Sequence, residues 1–538
     1  MIKRIFTNTS KTITGAALIL GSASFISRII ALIRDRIFAH QFGAGNALDI
    51  YYASFKIPDL IFNLLIVGGI SAGFIPIFTT KLGKRKNKTA WALANNIITI
   101  VGVSLAIVCL LFFIFMPYIM PYIVPGFDTV SISKTVSLSR LMIISPFLLG
   151  LSSILNSMLQ SMKHFLVYAL TAIVYNIGII IGAIFFVPYF GIVGLAFGVI
   201  LGALFHLTIQ IPTLYHQGFR YAWSFHLKDK DTIKIGKLMI PRTLTLASNQ
   251  LNIFVMTILA STLAEGSITV FTFASNLQFV PVGIIGLSFA IAAFPVLSEF
   301  AAKHNTKALR RHISQTTKKI IFFMLPLTII FLLLRAQIVR VIYGSGKFDW
   351  TDTIATADTL AFFSLSLIAQ CITPLLARAF YAMHNTKTPL IIGFIGTLIS
   401  IIASLVLKES YGLLGLAMAF SISAIFQLIA LWFALRQKLK TLMESTILPA
   451  LYKMGIAGIF MAAITQLIKT YLGGIVEMTS FFGIFTQGVI AGMGGLSIYA
   501  ILLLIMKSEE MLHVTHIFKK RWLKLRNIEA IIPESEQR

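Results

Sequence analysis

A chain of 538 residues, 57% hydrophobic and only 12% charged, is not a soluble globular protein, since soluble domains carry about 25% charged residues. Its net charge of +26 would suit nucleic acid, but Lys and Arg gather at residues 3–11, 81–88, 220–237, 303–319, 436–440 and 507–526. The alternate connections 124–133, 264–266 and 473–479 are poor in them, which is the positive-inside pattern of a polytopic membrane protein and argues against a nucleic-acid partner.

About 20 apolar residues cross a bilayer. Fourteen spans are predicted, at residues 12–39, 47–79, 90–121, 135–160, 166–187, 191–214, 235–262, 268–300, 317–344, 355–382, 388–407, 412–435, 449–471 and 481–506. The fold class is therefore an all-α polytopic membrane protein, with an even number of spans and both termini in the cytoplasm. The first apolar run lacks a small-residue cleavage site and flows into a charged stretch, so no cleavable signal is expected.

The first span contains Ser27, Arg28, Arg34 and Asp35. An ionised side chain at bilayer depth costs roughly 2.5–3.5 kcal/mol, so such residues face a bundle interior or a wet cavity. Positions seven apart share a helix face, which relates Arg28 to Asp35 and Ser27 to Arg34. In the second span Asp49, Lys56 and Asn63 repeat that spacing, Asp59 lies one turn from Lys56, and Pro58 interrupts the helix and frees backbone groups. A purely structural alternative makes Arg28–Asp35 and Asp49–Lys56 ion pairs that lock helices together.

Residues 217–231 form a polar connection near the middle of the chain. Beyond it, the seventh span shows Arg242, Thr245, Asn249 and Asn252 on one face. The eighth adds Ser275, Asn276 and Gln278, and Arg378 stands near the end of the tenth. Ser and Asn often serve to hold membrane helices together; Arg242 and Arg378 are harder to read that way. Counting the proposed chamber, Arg28, Arg34, Lys56, Arg242 and Arg378 face Asp35, Asp49 and Asp59, a balance of +2 that favours an anionic cargo. Arginine suits phosphate because its planar fork donates two parallel hydrogen bonds.

An internal repeat organises the spans. Gly191-Ile192-Val193-Gly194-Leu195-Ala196 recurs as Gly412-Leu413-Leu414-Gly415-Leu416-Ala417, an offset of 221 residues. The same offset pairs Ala203 with Ala424, Phe205 with Phe426, Ser161-Met162 with Ala382-Met383, Ala53-Ser54 with Ala274-Ser275, and Ser27 with Ser248. Two pseudo-symmetric six-helix lobes around a central cavity follow, a transporter architecture with its site at the lobe interface. The expected domains are an N-terminal lobe (1–216), a cytoplasmic linker (217–234), a C-terminal lobe (235–440), an extra helix pair (441–507) and a basic tail (508–538).

Cys109 and Cys371 fall in apolar segments as small core residues, and His513 with His516 is too little for a metal site. There is no P-loop and no visible catalytic grouping, so no enzyme is expected. Residues 517–526 mix Phe518, Trp522 and Leu525 with Lys519, Lys520, Arg521 and Lys524, which reads as an interfacial helix on anionic membrane lipids or as a solvated tail.

The block Ser27-Arg28 through Arg34-Asp35, Phe42-Gly43-Ala44-Gly45, Asp49, Phe55-Lys56-Ile57-Pro58-Asp59, Gly69, Ser71-Ala72 and Phe74-Ile75-Pro76 resembles the MurJ/MviN family of lipid II flippases. That family lies within the multidrug/oligosaccharidyl-lipid/polysaccharide exporter superfamily. Ala379-Phe380-Tyr381-Ala382 and Thr386-Lys387-Thr388-Pro389 continue the likeness, which covers residues 10–507. The resemblance implies fourteen helices, an extra pair forming a groove for a lipid tail, and alternating access. The implied cargo is the undecaprenyl-pyrophosphate-linked peptidoglycan precursor, moved from the inner to the outer leaflet of the bacterial inner membrane. It further implies that Arg28 and Arg34 hold the pyrophosphate beside Asp35. Two other family arginines are replaced by Phe62 and Asn276, with Arg242 and Arg378 as candidates for the missing charge. The acidic groups of the sodium site in some relatives have no convincing counterpart here. No cofactor is expected; an ion gradient or the membrane potential, worth about 2.3 kcal/mol per charge per 100 mV, would drive transport. Other cell-wall synthesis proteins are possible partners. The alternatives are a flippase for another undecaprenyl-linked oligosaccharide, a multidrug exporter, or a non-transporting scaffold in the cell-wall machinery.

Overall fold

The computed structural model describes residues 13–64, 70–83 and 87–516; the expected interfacial stretch 517–526 lies outside them. All the elements are helical. In chain order they are α1 (Ile13–Phe42), α2 (Asn46–Ser54), α3 (Lys56–Phe62), α4 (Ile70–Gly83), α5 (Asn87–Ile123), α6 (Thr129–Met142), α7 (Ile144–Ser161), α8 (Phe165–Ile181), α9 (Val187–Phe190), α10 (Val193–Thr208), α11 (Ile211–His216) and α12 (Lys230–Ser261). There follow α13 (Ser267–Pro281), α14 (Leu287–Ala302), α15 (Thr306–Leu333), α16 (Arg335–Tyr343), α17 (Trp350–Ser364), α18 (Leu367–Ala382), α19 (Lys387–Tyr411), α20 (Leu413–Leu439), α21 (Glu444–Gly473) and α22 (Phe481–Ile505). Wider π turns at Gly182–Phe186 and Val282–Gly286 join α8 to α9 and α13 to α14.

Among the described residues ten helical stretches are long and apolar enough to cross a membrane, or eleven if α17 and α18, bent by 43°, count as one. The protein is thus a multi-pass, all-helical membrane protein. Two compact units divide it: residues 1–276, 342–359 and 393–420 form the first, and 277–341, 360–392 and 421–538 the second.

In the first unit the expected second span is broken rather than continuous. Pro58 has no N–H to give the carbonyl of Ser54. That carbonyl instead accepts from the Ser139 hydroxyl at 2.8 Å, and the Ser54 hydroxyl donates to Ile50 O at 2.6 Å. The π turn after α8 likewise leaves Ala183 O to accept from Gln41 Nε2 at 2.8 Å. Every backbone group freed inside a membrane protein needs such a partner.

The packing of α8 against α10 follows from glycine spacing. A Cβ on Gly178 would lie 2.3 Å from Gly202 Cα, and one on Gly182 would lie 2.3 Å from Gly198 Cα. Gly178 on α8 and Gly182 at the start of the π turn are four apart, as are Gly198 and Gly202 on α10, the small-residue pattern that lets membrane helices approach backbone to backbone. Gly198→Leu is therefore expected to lower the thermal midpoint in detergent, at a cost of at least about 1–3 kcal/mol from overpacking. Gly393→Leu, where a Cβ meets nothing within 4 Å, should leave that midpoint in place.

In the second unit α14, α15, α18 and α21 share a core that includes Leu297, Ile320, Met324, Leu375 and Met454. Cys371 belongs to it and is completely buried, and a Cβ on Gly286 would come within 2.7 Å of Cys371 Cα. α21 and α22 pack closely, with Gly495 against Thr465 and Met461.

The repeat is visible in local geometry. Lys163 and His384, 221 apart, both leave their helices at positive φ (64° and 57°), as do Gly191 and Gly412 (56° and 54°). Gly194 rests on the backbone of Phe186 and Val187, and Gly415 on Leu407 and Lys408, partners again 221 apart. Asn63 and Leu64 adopt the π turn that the offset places on Val282–Gly286.

Candidate functional site

Arg34 and Asp35 form an ion pair on α1, inside the first unit. Arg34 Nη2 and Nε both donate to Asp35 Oδ1, at 2.8 and 3.0 Å. Nη1 donates to Asn176 Oδ1 on α8 at 3.0 Å, and Asn176 is itself fixed by donating to Ala172 O at 2.9 Å. The other carboxylate oxygen of Asp35 accepts from Asn276 Nδ2 at 2.8 Å. Asp35 is 1% exposed and Arg34 20%. A guanidinium has five N–H donors; among the described residues three are engaged, so two remain on its terminal nitrogens. Phe38 lies 5.8 Å beneath the guanidinium, and its ring meets Tyr51 edge-on at 5.3 Å. The side chain is held by salt bridge, amide and ring, and still has donors to give.

Asp49 has another task. One of its oxygens accepts from Thr269 N at 2.7 Å and Thr269 Oγ1 at 2.6 Å, and the other from Gly266 N at 2.8 Å. Those donors open α13, where unpaired N–H groups and the helix dipole favour an anion. Asp49 is buried and staples α2 to the start of α13. Thr269 and Asn276 are seven apart, one face of that helix, so the staple at Thr269 sets the reach of Asn276 towards Asp35. Among the described residues no ion pair joins Asp49 to Lys56.

Lys56, Asp59 and Asn63 lie on or just beyond α3. Asn63 Nδ2 donates to Asp59 O at 2.9 Å, and Gln250 Nε2 of α12 to the same carbonyl at 3.4 Å. Asp59 is exposed on α3, and Lys56 one turn away is half-buried.

The remaining candidates are placed differently. Ser27 and Arg28 are half-buried on α1. Arg378 belongs to the second unit, on α18, where Nη1 reaches Leu287 O at 3.4 Å. The side chains of Arg242 and Asn249 lie outside the described residues. The structure therefore brings Arg34, Asp35 and Asn276 together, while Lys56, Asp59 and Asn63 lie elsewhere in the same unit, on or just beyond α3. It adds Asn176, Thr269 and Gln250, which the sequence reading did not select. Asn176 had a signal of its own: it is the lone amide in the apolar run 169–187. No group of three His, Cys, Asp or Glu side chains able to hold a metal occurs among the described residues.

In the basic linker, Asp229 caps α12. Against partial burial, which raises it, hydrogen bonds from the Thr232 N–H and hydroxyl draw the Asp229 carboxyl below its ordinary range.

A multi-pass helical protein with a fixed arginine and a reachable carboxylate between its helices belongs to the class of membrane transporters. Residues 38–486 match the family described as "Lipid II flippase MurJ", and the chain belongs to that family. It is 28% identical over 463 residues to a protein of Rickettsia prowazekii (strain Madrid E) named "Probable lipid II flippase MurJ", covering 86% of this chain and 91% of that one. Its fold superimposes on a structure titled "Lipid II flippase MurJ, inward closed conformation" with a TM-score of 0.76 and 25% identity, over 91% of this chain and 98% of that one. A multidrug resistance MATE family transporter of the MOP superfamily, in an inward-facing conformation, shares the fold with a TM-score of 0.67 at 17% identity, over 78% and 96% of the two chains.

Proposed function

We propose that this chain moves lipid II from the inner to the outer leaflet of the bacterial inner membrane by alternating access, with both termini in the cytoplasm. Family membership gives the cargo class, and one observation carries the site: Arg34 is pinned by Asp35 and Asn176 and keeps two N–H donors. Paired donors on one planar cation match the oxygens of a diphosphate. Arg28 adds charge on the same helix, and Lys56 with Asp59 lines the route. Fourteen helices in two six-helix lobes would place this cluster near the middle of the membrane, with Arg242, Asn249 and Arg378 contributed by the C-terminal lobe. The α21–α22 pair is the support for the polyprenyl tail. Membrane potential acting on the charged cavity is sufficient as a driving force, at about 2.3 kcal/mol per charge per 100 mV.

A flippase for another undecaprenyl-linked oligosaccharide would use the same diphosphate chemistry. Vesicles containing the protein and fluorescent lipid II separate the two. Unlabelled lipid II should compete for flipping, and an undecaprenyl-linked O-antigen unit should not. Equal competition by both would remove lipid II as the specific cargo.

A further inference from the structure

The first unit contains a second site, far in sequence from Arg34. A cavity of about 720 Å3 opens between α5, α7, α10–α11 and residues 219–223 of the linker. Its walls are apolar, with Val103, Ala106, Leu151, Leu155 and Leu207 among them.

The linker is fastened over this cleft rather than left as a tether. Asn95 Nδ2 donates to Arg220 O at 3.2 Å, Asn96 Nδ2 donates to His226 O at 3.0 Å, and His226 N donates back to Asn96 Oδ1 at 2.6 Å. Thr99 and Tyr221 share a hydroxyl–hydroxyl bond at 3.0 Å, and Phe219 packs on Trp91 with ring centroids 5.5 Å apart. Arg220 stacks over the Tyr215 ring and donates to Tyr215 O and Phe219 O at 2.8 and 2.9 Å. Three polar side chains of α5, one turn or less apart, thus hold a wall of the cavity in place.

The rim has the chemistry of a bilayer interface. Tyr215, Tyr221 and Trp223 are exposed, an aromatic cluster of the kind that sits at headgroup depth. Arg220, Lys228 and Lys230 are exposed around the same segment. The apolar wall runs on to the exposed Ile107, Leu110 and Leu111 of α5, which face hydrocarbon. Apolar walls of this kind suit a hydrocarbon chain, because an empty cavity forfeits dispersion contacts on every side.

We propose that this cleft is a seat for an anionic phospholipid. One acyl chain lies between α5, α7 and α10, and the phosphate meets Arg220 and the lysines that follow it. The leaflet is the cytoplasmic one, a point that rests on the orientation adopted above; the seat itself does not depend on the cargo. A bound lipid would brace the linker joining the two halves of the sequence.

The experiment uses the full chain in vesicles of phosphatidylethanolamine with a minor share of phosphatidylglycerol bearing a photoreactive group at its acyl end. After irradiation, adducts should concentrate on peptides containing residues 98–106 and 207–215. Ala106→Trp, which fills the cleft, should abolish them. Lys228→Ala, an exposed change outside the cavity wall, should reduce them about fivefold, the equivalent of about 1 kcal/mol for one basic side chain at an anionic surface. Labelling spread evenly over the lipid-facing helices, or unchanged in both variants, would overturn the proposal. So would equal labelling by a phosphatidylcholine analogue, or displacement by undecaprenyl phosphate, which would give the cleft to a polyprenyl tail. None of these outcomes bears on whether lipid II is flipped.

Discussion

Arg34→Ala is expected to abolish complementation of a flippase-depleted cell while the protein still inserts, and Arg34→Lys should fail almost as completely. A lysine ammonium keeps the charge but is a point donor on a flexible stem. It cannot hold Asp35 and Asn176 as the guanidinium fork does and still offer paired donors to a diphosphate. Removing Arg34 alone also leaves Asp35, 1% exposed, as an uncompensated buried charge, a loss of about 3–5 kcal/mol. The double variant Arg34→Ala with Asp35→Asn removes that penalty, so it should recover thermal stability without recovering transport. A static brace would behave in the opposite way: the neutral pair would restore both. Asn176→Ala should give a partial defect, since a hydrogen bond to a charged group contributes about 1.5–3 kcal/mol. Complementation measured beside membrane abundance and thermal midpoint separates these outcomes, and full complementation by Arg34→Ala would defeat the site assignment.

Asp49→Ala is expected to fail through the fold. It orphans Gly266 N–H, Thr269 N–H and the Thr269 hydroxyl together, each buried unsatisfied donor costing about 1–3 kcal/mol. The start of α13 then loses its anchor, and Asn276 its alignment with Asp35. Asp49→Asn should be little better, because its amide group must point a donor at one of those donors. Thr269→Val, which removes only the hydroxyl, should be milder. The readout is the thermal midpoint in detergent; a parental midpoint for Asp49→Ala would remove the staple from the account.

The sequence carried the repeat well because it is written in helix ends. Gly191 and Gly412 recur where the chain must turn at positive φ, and such turns are encoded locally. The charged cluster on α1 was legible for a similar reason, as ions in an apolar run have few places to go. Asp35 beside Arg34 was legible from adjacency; the distant partners were not. The seven-residue spacing from Asp49 to Lys56 assumes one unbroken helix, whereas α2 ends at Ser54 and α3 begins at Lys56, and Asp49 spends its carboxylate on the start of α13 instead. Arg34 turns back onto its neighbour Asp35 and out to an amide 142 residues away, a long-range meeting that periodicity cannot register. Asp49 finds its donors 217 and 220 residues on, at a helix start that only the fold brings to it.

The most direct measurement is the exposure of lipid II on the outer leaflet, read by an impermeant reagent, in cells depleted of their own flippase and then supplied with this chain or its Arg34→Ala variant. The account predicts that outer-leaflet lipid II returns with the parental chain and stays absent with the variant. Return with neither, at equal abundance in the membrane, would contradict it.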